Sequence, residues 1–270
     1  MRKRLFIGIA VVSCLAVSVN SHDLFLKFDS YFLRPNSGAT VRLLNGSFRS
    51  SEGAVARDRM QDVTLVSPEG GVSHPPATNW RDEGKTALLN LETGRAGTYV
   101  VGVSTKHREI DLKAKDFNEY LAHDGLPDTL ATRRKNGELN RDVRERYSKH
   151  VRAIFQVGEQ LTEDYKTPLG YPVEIIPQQN PYSLKAGEIL EVLCLLDGKP
   201  LSGQFVIAGW ETATRRRSRP LNVRTDSAGI ARIKLGGRGK WYVKLIHMTP
   251  LNEAGINYES KWATLTFAVK

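Results

Sequence analysis

The feature that most constrains the fold is a repeated pattern of short apolar runs separated by glycine, proline and other turn residues. In the first part of the chain the runs typical of strands are 24–28, 39–44, 62–67, 86–91 and 98–103. In the last part they are 189–196, 204–210, 230–235, 240–248 and 259–269. This pattern predicts a mostly β protein with two sandwich domains of immunoglobulin-like or transthyretin-like build.

The segment between these two parts has a different pattern. Phe117, Tyr120 and Leu121 have helical spacing, and residues 130–135 and 141–155 also favour helices. We therefore predict an N-terminal sandwich over 22–110, a helical insert over 111–167 and a C-terminal sandwich over 168–270. Within the last domain, residues 225–229 have the composition of a hairpin turn.

The N-terminus has the pattern of a secretory signal peptide over residues 1–21. Basic residues at 2–4 precede an apolar run over 5–17, and Val19 and Ser21 occupy the −3 and −1 positions of a cleavage site. The run is too short to favour an uncleaved membrane anchor, since a spanning helix needs about 20 apolar residues. We expect export to the periplasm and a mature chain that starts at His22; cleavage after Ser18 is the alternative.

The cysteines and the charged residues indicate which covalent links and which partners the sequence favours. Of the two cysteines, Cys14 lies within the predicted signal, so Cys194 has no disulfide partner, and its apolar strand predicts burial. The net charge of +10 includes arginines at 215–217 and 219, which could meet an anion, a membrane surface or nucleic acid. No nucleic-acid motif accompanies them, so we favour a solvated loop and expect neither a nucleic-acid partner nor a transmembrane span in the mature chain.

Two polar residues interrupt apolar faces in the last two predicted strands. His247 has the same parity as Trp241, Val243 and Leu245, and Glu259 has the same parity as the apolar residues of the final strand. Both side chains should therefore point inward, where an unpartnered polar group costs a few kcal/mol. They could bond each other or the backbone, or they could bind a metal, with the carboxylate as a ligand or as an acceptor for the imidazole.

His22 strengthens the metal interpretation. A free α-amine and the imidazole of the same residue form a two-nitrogen chelate, and a second imidazole would complete a set that suits Cu(II) or Ni(II). The alternative is that His22 is simply a mature terminus. His74, His107, His123 and His150 lie in polar or basic surroundings and are expected at the surface. No nucleophile elbow, zinc-protease motif, phosphate loop or paired-cysteine motif is present in the sequence.

Several segments together resemble a bacterial family of unknown function that is labelled as the NikM-like, substrate-specific component of nickel or cobalt uptake. They are residues 22–26, 146–150, 243–248 and 258–267. The resemblance implies two β domains, periplasmic handling of a divalent transition metal, and roles for His22, His247 and Met248. The chain ends at Lys270 without the C-terminal membrane helix that such components usually carry, which favours metal binding or delivery over a direct part in a permease.

We therefore expect a non-enzymatic periplasmic protein that binds nickel, cobalt or copper and hands it to a membrane uptake component. The expected metal site contains His22 and His247 as nitrogen ligands, Glu259 as a third ligand or acceptor, and Met248 as a weak soft neighbour. One alternative is a protein- or glycan-binding sandwich module without metal. The other is a copper enzyme that activates oxygen at the histidine chelate.

Overall fold

The computed structural model describes residues 22–212, 214 and 219–270, so the predicted signal peptide and the arginines at 215–217 lie outside the described residues. In the N-terminal half the strands are β1 (Asp23–Phe28), β2 (Phe32–Leu33), β3 (Gly38–Gly46), β4 (Met60–Ser67), β5 (Gly71–Ser73), β6 (Trp80–Glu83), β7 (Thr86–Glu92), β8 (Gly97–Thr105) and β9 (Arg108–Leu112). Two helices follow, α1 (Ala114–His123) and α2 (Pro127–Lys135). The later strands are β10 (Val143–Val157), β11 (Val173–Pro177), β12 (Ile189–Leu196), β13 (Lys199–Pro200), β14 (Phe205–Glu211), β15 (Leu221–Arg224), β16 (Ile230–Lys234), β17 (Gly239–Glu253) and β18 (Ile256–Val269).

One long sheet connects the two halves of the molecule. Its strand order is β15-β14-β17-β18-β10-β8-β4-β5, and β2 and β9 also pair with β10. Two smaller sheets cover it: β1-β3-β7-β6, and β11-β12-β13 with β16 beside β12. The mostly β, sandwich-like architecture expected from the sequence is thus confirmed, with the addition that both sandwiches share this long sheet.

The two smaller sheets pack on opposite faces of the long sheet. Val151, Ala153 and Phe155 of β10 contribute to the core beneath the β1 sheet, whereas Ile154 contributes to the core beneath the β12 sheet. Alternate residues of a strand point to opposite faces, so each long strand serves both cores. The two hydrophobic cores therefore lie on opposite faces of the same long strands.

The segment 141–155, which its sequence predicts as a helix, is instead mostly strand β10. Residues 145–153 pair in parallel with β18, and other parts of β10 pair antiparallel with β8 and β9. Glu145 and Lys149 suit a helical pair, but a spacing of four also places both residues on one face of a strand. The helical prediction was wrong because tertiary pairing on both edges overrides this local pattern. Only the earlier part of the predicted insert is helical, in α1 and α2.

Other local predictions can be checked element by element. All ten predicted strands have counterparts, and the bounds of β12 are those predicted. Helix α1 buries Phe117, Tyr120 and Leu121, as their spacing indicates, and Cys194 is fully buried. The hairpin predicted at residues 225–229 is wrong, because β15 pairs with β14 while β16 pairs with β12 in another sheet. Neither helix in the described part of the chain has the length and apolar character needed to cross a membrane.

Candidate functional site

A cavity of about 230 Å³ lies on the face of the long sheet that also carries the β1 sheet, near the start of β1. Strand β10 contributes Glu145, Tyr147 and Lys149 to its wall, which are alternate residues on one face of the strand. The other lining residues come from α1, β3, β9, β18 and the segments before β1 and β4: His22, Asn45, Arg59, Arg108, Ile110, Leu112, Tyr120 and Trp262. We call this cavity the His22 pocket.

Glu145 is a buried carboxylic acid in the wall of the His22 pocket. Its side chain accepts hydrogen bonds from the Tyr120 hydroxyl, at 3.2 Å, and from the Ser260 hydroxyl. Burial raises the pKa of Glu145 to about 7, although the two hydroxyls and the charge of Lys149 act to lower it. Glu145 therefore changes charge near neutral pH, which is typical of residues at functional sites.

Lys149 is a buried cation beside Glu145. It is 6% exposed, its ammonium group donates to the backbone carbonyl oxygen of His22, and it lies 4.8 Å from the centre of the Trp262 ring. Burial lowers the pKa of Lys149 to about 8, against the opposing charges of Asp23 and other carboxylates. Desolvation of an ammonium group costs free energy. The contacts with the His22 carbonyl and the Trp262 ring keep Lys149 in the wall despite this cost.

Arg59 brings a second cation to the pocket from the short 3-10 turn Arg57–Arg59 that precedes β4. Its guanidinium lies 5.3 Å from the centre of the Tyr147 ring. The Nε and Nη2 atoms of Arg59 are buried and form no hydrogen bond with any described residue. Buried polar groups in proteins are nearly always hydrogen-bonded, so these two donors are exceptions within the wall of the pocket.

Hydrogen bonds and an ion pair hold the chain in place at His22 and at the two residues that follow it. Besides the bond from Lys149 to the His22 carbonyl, the next residue, Asp23, forms an ion pair of 2.6 Å with Lys244 of β17. Burial opposes the charge on Lys244, but Asp23 and Asp124 outweigh that effect and raise its pKa. The hydroxyl of Thr264 also donates to the backbone of Leu24 at 2.8 Å. The residue predicted to begin the mature chain is therefore fixed in position.

The imidazole of His22 faces the carboxylate of Glu52. Its Nδ1 atom lies 3.3 Å from Oε2 of Glu52, and the two side chains are 33% and 51% exposed. Glu52 comes from the polar segment after β3, which the sequence alone indicates only as a long loop. Nitrogen and oxygen donors thus lie close together at a place open to solvent.

The structure does not bring His247 to His22. His247 continues the face of β17 that packs under the β12 sheet, whereas Lys244, on the opposite face, contacts Asp23. The long sheet therefore separates the two histidines, and the predicted site with both imidazoles is not formed. This follows from the β1 sheet and the β12 sheet packing on different faces, which parity within one strand does not reveal.

The remaining predicted metal ligands lie apart from one another. His247 is half-buried, with Nδ1 3.1 Å from Oε1 of Gln204, and burial and the charge of Lys261 lower its pKa. Glu259 shares that face and lies 3.9 Å from Lys261, while Met248 packs against the helices on the other face. Within residues 22–212, 214 and 219–270, no group of three or more histidine, cysteine, aspartate or glutamate side chains is placed to hold a metal.

Sequence reasoning missed Glu145, Lys149 and Arg59, and it misplaced His150. His150 was expected at the surface but is 3% exposed, with its two ring nitrogens 2.9 Å and 3.0 Å from the hydroxyls of Ser104 and Ser148. A signal for the pocket was available, because three segments of the family resemblance, 22–26, 146–150 and 258–267, meet at its wall. Their proximity becomes visible only when β10 is treated as a strand.

Comparisons with known proteins give a family without an assigned activity. No curated protein matches the chain significantly. Among solved structures, a mutant of Salmonella alpha-2-macroglobulin is 13% identical with a TM-score of 0.24, over 91% of this chain and 15% of that chain. The BSP domain of a biofilm-associated protein is 11% identical with a TM-score of 0.19, over 91% of this chain and 29% of that one. Native alpha-2-macroglobulin from Escherichia coli, spanning domains MG0-NIE-MG1, is 10% identical with a TM-score of 0.20, over 89% of this chain and 69% of that one.

This chain thus spans a small part of the first two of those proteins. The family match is more extensive and covers residues 19–249, which include every residue that lines the His22 pocket except Trp262. The family is described as a domain of unknown function, DUF4198. On the extent of that match, the chain belongs to the DUF4198 family.

Proposed function

We propose that this is an exported periplasmic protein that binds a divalent transition-metal ion, nickel, cobalt or copper, through its mature N-terminus. Cleavage after Ser21 frees the α-amine of His22, which together with Nδ1 of the same residue forms a two-nitrogen chelate. Glu52 supplies a carboxylate oxygen as the third ligand. The role implied by the family resemblance is uptake or delivery, with a membrane uptake component as the partner.

The observation that supports this proposal most is the approach of Glu52 Oε2 to His22 Nδ1, at 3.3 Å. Nδ1 is the ring nitrogen that can chelate together with the α-amine of its own residue, and in this structure it is the nitrogen that faces the carboxylate. The bonds from Lys149 and the Asp23–Lys244 ion pair keep this residue from fraying, as mature termini otherwise do.

The proposed ligand set differs from the one expected from the sequence. His22 is kept, while His247, Glu259 and Met248 are replaced by Glu52, because the long sheet lies between His22 and His247. An imidazole, an amine and a carboxylate bind nickel, cobalt and copper, with copper tightest in the usual order of affinities. The ligands would capture and hold the ion, and no catalytic step is needed for this function.

Mass spectrometry and calorimetry test the proposal. The intact mass of the exported protein identifies its first residue, and titration with Cu(II), Ni(II), Co(II) and Zn(II) then measures binding. We expect one equivalent to bind, with binding lost when one alanine is added before His22. Loss of the carboxylate in Glu52→Gln should weaken binding by about 10-fold or more.

His247→Ala is the matched control, because it removes an imidazole on the other face of the sheet. It should leave the affinity unchanged. A strong loss in His247→Ala, or full binding in the extended chain, would contradict the proposed ligand set. A mature chain that starts elsewhere and binds no metal would leave protein or glycan recognition as the better explanation, and copper-dependent oxidation of a polysaccharide would indicate an enzyme.

A further inference from the structure

The His22 pocket has an excess of positive charge that its own carboxylate does not neutralise. Arg59, Arg108 and Lys149 line it, against the single buried carboxyl of Glu145. Glu145 is engaged by hydroxyl groups, and the carboxylates of Asp23 and Asp124, which also act on Lys149, share an ion pair with Lys244. A cluster of cations of this kind, in which Lys149 is buried, favours an anionic ligand.

The donors of Arg59 define the shape of the anionic group. Its Nε and Nη2 atoms lie on the same edge of the guanidinium, and both are buried without a hydrogen bond to any described residue. Two parallel N–H donors on one edge match the two oxygens of a carboxylate, which they bind in a bidentate manner. Leaving two such donors unbonded is costly, and a carboxylate that reached this edge of Arg59 from the pocket would complete them.

Part of the remaining wall is apolar, and the cavity is small. Ile110, Leu112, Tyr147 and Trp262 line the cavity together with the cations, and its volume of about 230 Å³ is below the range of pockets for drug-sized molecules. An inorganic anion would leave these apolar surfaces in contact with water. An acid with a compact apolar body would cover them.

We infer that the His22 pocket binds a small organic carboxylate with an apolar body, whose carboxylate group is held by Arg59 and Lys149. Arg108, which is exposed at the rim, adds a third positive charge at the entrance. This site goes beyond the proposed metal site, since it uses side chains other than the metal ligands and requires no metal ion.

Nuclear magnetic resonance of the metal-free protein, prepared with a chelator, tests the inference with benzoate as the probe. The indole N–H of Trp262, which donates to the Ser260 hydroxyl at 2.8 Å, reports on the pocket wall, and its signal is assigned with Trp262→Phe. We expect a saturable shift with benzoate, a weaker response to acetate and none to the uncharged analogue benzamide. Inorganic phosphate should not compete.

Variants separate the pocket from general charge effects. Arg59→Gln should weaken benzoate binding by about tenfold or more, as expected for loss of a charged bidentate bond, and Arg59→Lys should restore only part of it. Arg134→Gln, at an exposed position of α2, removes the same charge away from the pocket and should have no effect. Should Arg59→Gln fail to fold, Arg108→Gln at the rim provides a second variant with a smaller expected loss.

Equal shifts with benzoate and benzamide, no saturation, or equal binding in Arg59→Gln and the natural chain would overturn the inference. Phosphate binding in place of benzoate would also overturn it and indicate an inorganic-anion site. Because every measurement is made without metal, a failure here leaves the proposed metal site untouched. A failure of metal binding likewise leaves the benzoate result intact.

Discussion

Two adjacent residues of β10, His150 and Lys149, are both buried but lie on opposite faces of the long sheet. His150 is 3% exposed and Lys149 is 6% exposed. Both ring nitrogens of His150 lie within hydrogen-bond distance of serine hydroxyls. Lys149 instead carries a desolvated charge beside a cavity. The comparison separates a polar group whose hydrogen bonds are complete within the fold from a buried charge that a backbone carbonyl holds beside a cavity.

This difference has energetic consequences. A buried polar group with its hydrogen bonds complete contributes to stability, and removing it leaves its partners unsatisfied. A buried charge without full compensation lowers stability, and replacing it by an apolar side chain of similar volume is often stabilising. The His150 face should therefore respond to mutation mainly in stability, and the Lys149 face mainly in binding.

The largest expected effect is on the His150 face. His150→Ala leaves a cavity and removes the partner of both Ser104 and Ser148, so we expect a loss of about 3–4 kcal/mol in the free energy of unfolding. Urea denaturation of the variant and the natural chain measures it. Metal and benzoate binding by the folded fraction should stay unchanged. A loss below about 1 kcal/mol would show that the ring is not a structural element.

The pH dependence of stability gives the next largest effect. Burial, with the charge of Lys261, lowers the pKa of His150 to about 4 from an ordinary value of 6.5. Between these two pH values the unfolded chain binds a proton that the folded chain does not, so stability contributed by the neutral ring is complete above pH 6.5 and is lost as the pH falls to 4. The difference corresponds to about 3 kcal/mol.

Denaturation of the natural chain and of His150→Gln from pH 4 to 7 isolates this contribution. The glutamine variant retains polar atoms but does not titrate. Its free energy of unfolding should therefore change less steeply with pH than that of the natural chain, by the slope that corresponds to about one proton. Nearby Asp197 opposes the shift, and its effect remains in both chains. Equal slopes in the two chains would mean that the ring is not desolvated as the structure indicates.

The opposite face should show a smaller effect with the opposite sign. Lys149→Met has similar volume and no charge to desolvate, so we expect the folded chain to gain about 1–2 kcal/mol at pH 7, despite loss of the bond to the His22 carbonyl. Benzoate binding should be lost in the same variant. Thermal unfolding measures the gain in stability, and the benzoate titration measures the loss of binding. Destabilisation without loss of benzoate binding would assign Lys149 a purely structural role.

The sequence predicts the sandwich strands well because their residues alternate with period two between clear turn residues. The bounds of β12, for example, are the same in the sequence analysis and in the structure. It fails for β10, where Glu145 and Lys149 satisfy a helical spacing and a strand face equally well. Pairing with β18 decides between the two, and that pairing joins residues more than 100 positions apart.

The site was predictable only in part for a related reason. The inward parity of His247 is correct with respect to Trp241 and Leu245, which lie in the core under the β12 sheet. However, a single strand carries no information about which face another strand will cover. His22 precedes β1, and β1 covers the opposite face, so the two histidines are separated although each was correctly associated with its own strand.

The smallest expected effect concerns Glu259, which shares the face of His150 but lies at its margin. Its side chain is 32% exposed and is 3.9 Å from Lys261, a distance at which a surface ion pair contributes about 0.5 kcal/mol or less. Glu259→Gln should therefore unfold at nearly the same urea concentration as the natural chain and bind the same metal with equal affinity. Glu52→Gln, which makes the same change beside His22, should keep the stability and lose the affinity. Because the two variants make the same chemical change, one beside His22 and one on the His247 side of the sheet, a reversal of their effects would place the metal ligands on the His247 side and remove His22 from the site.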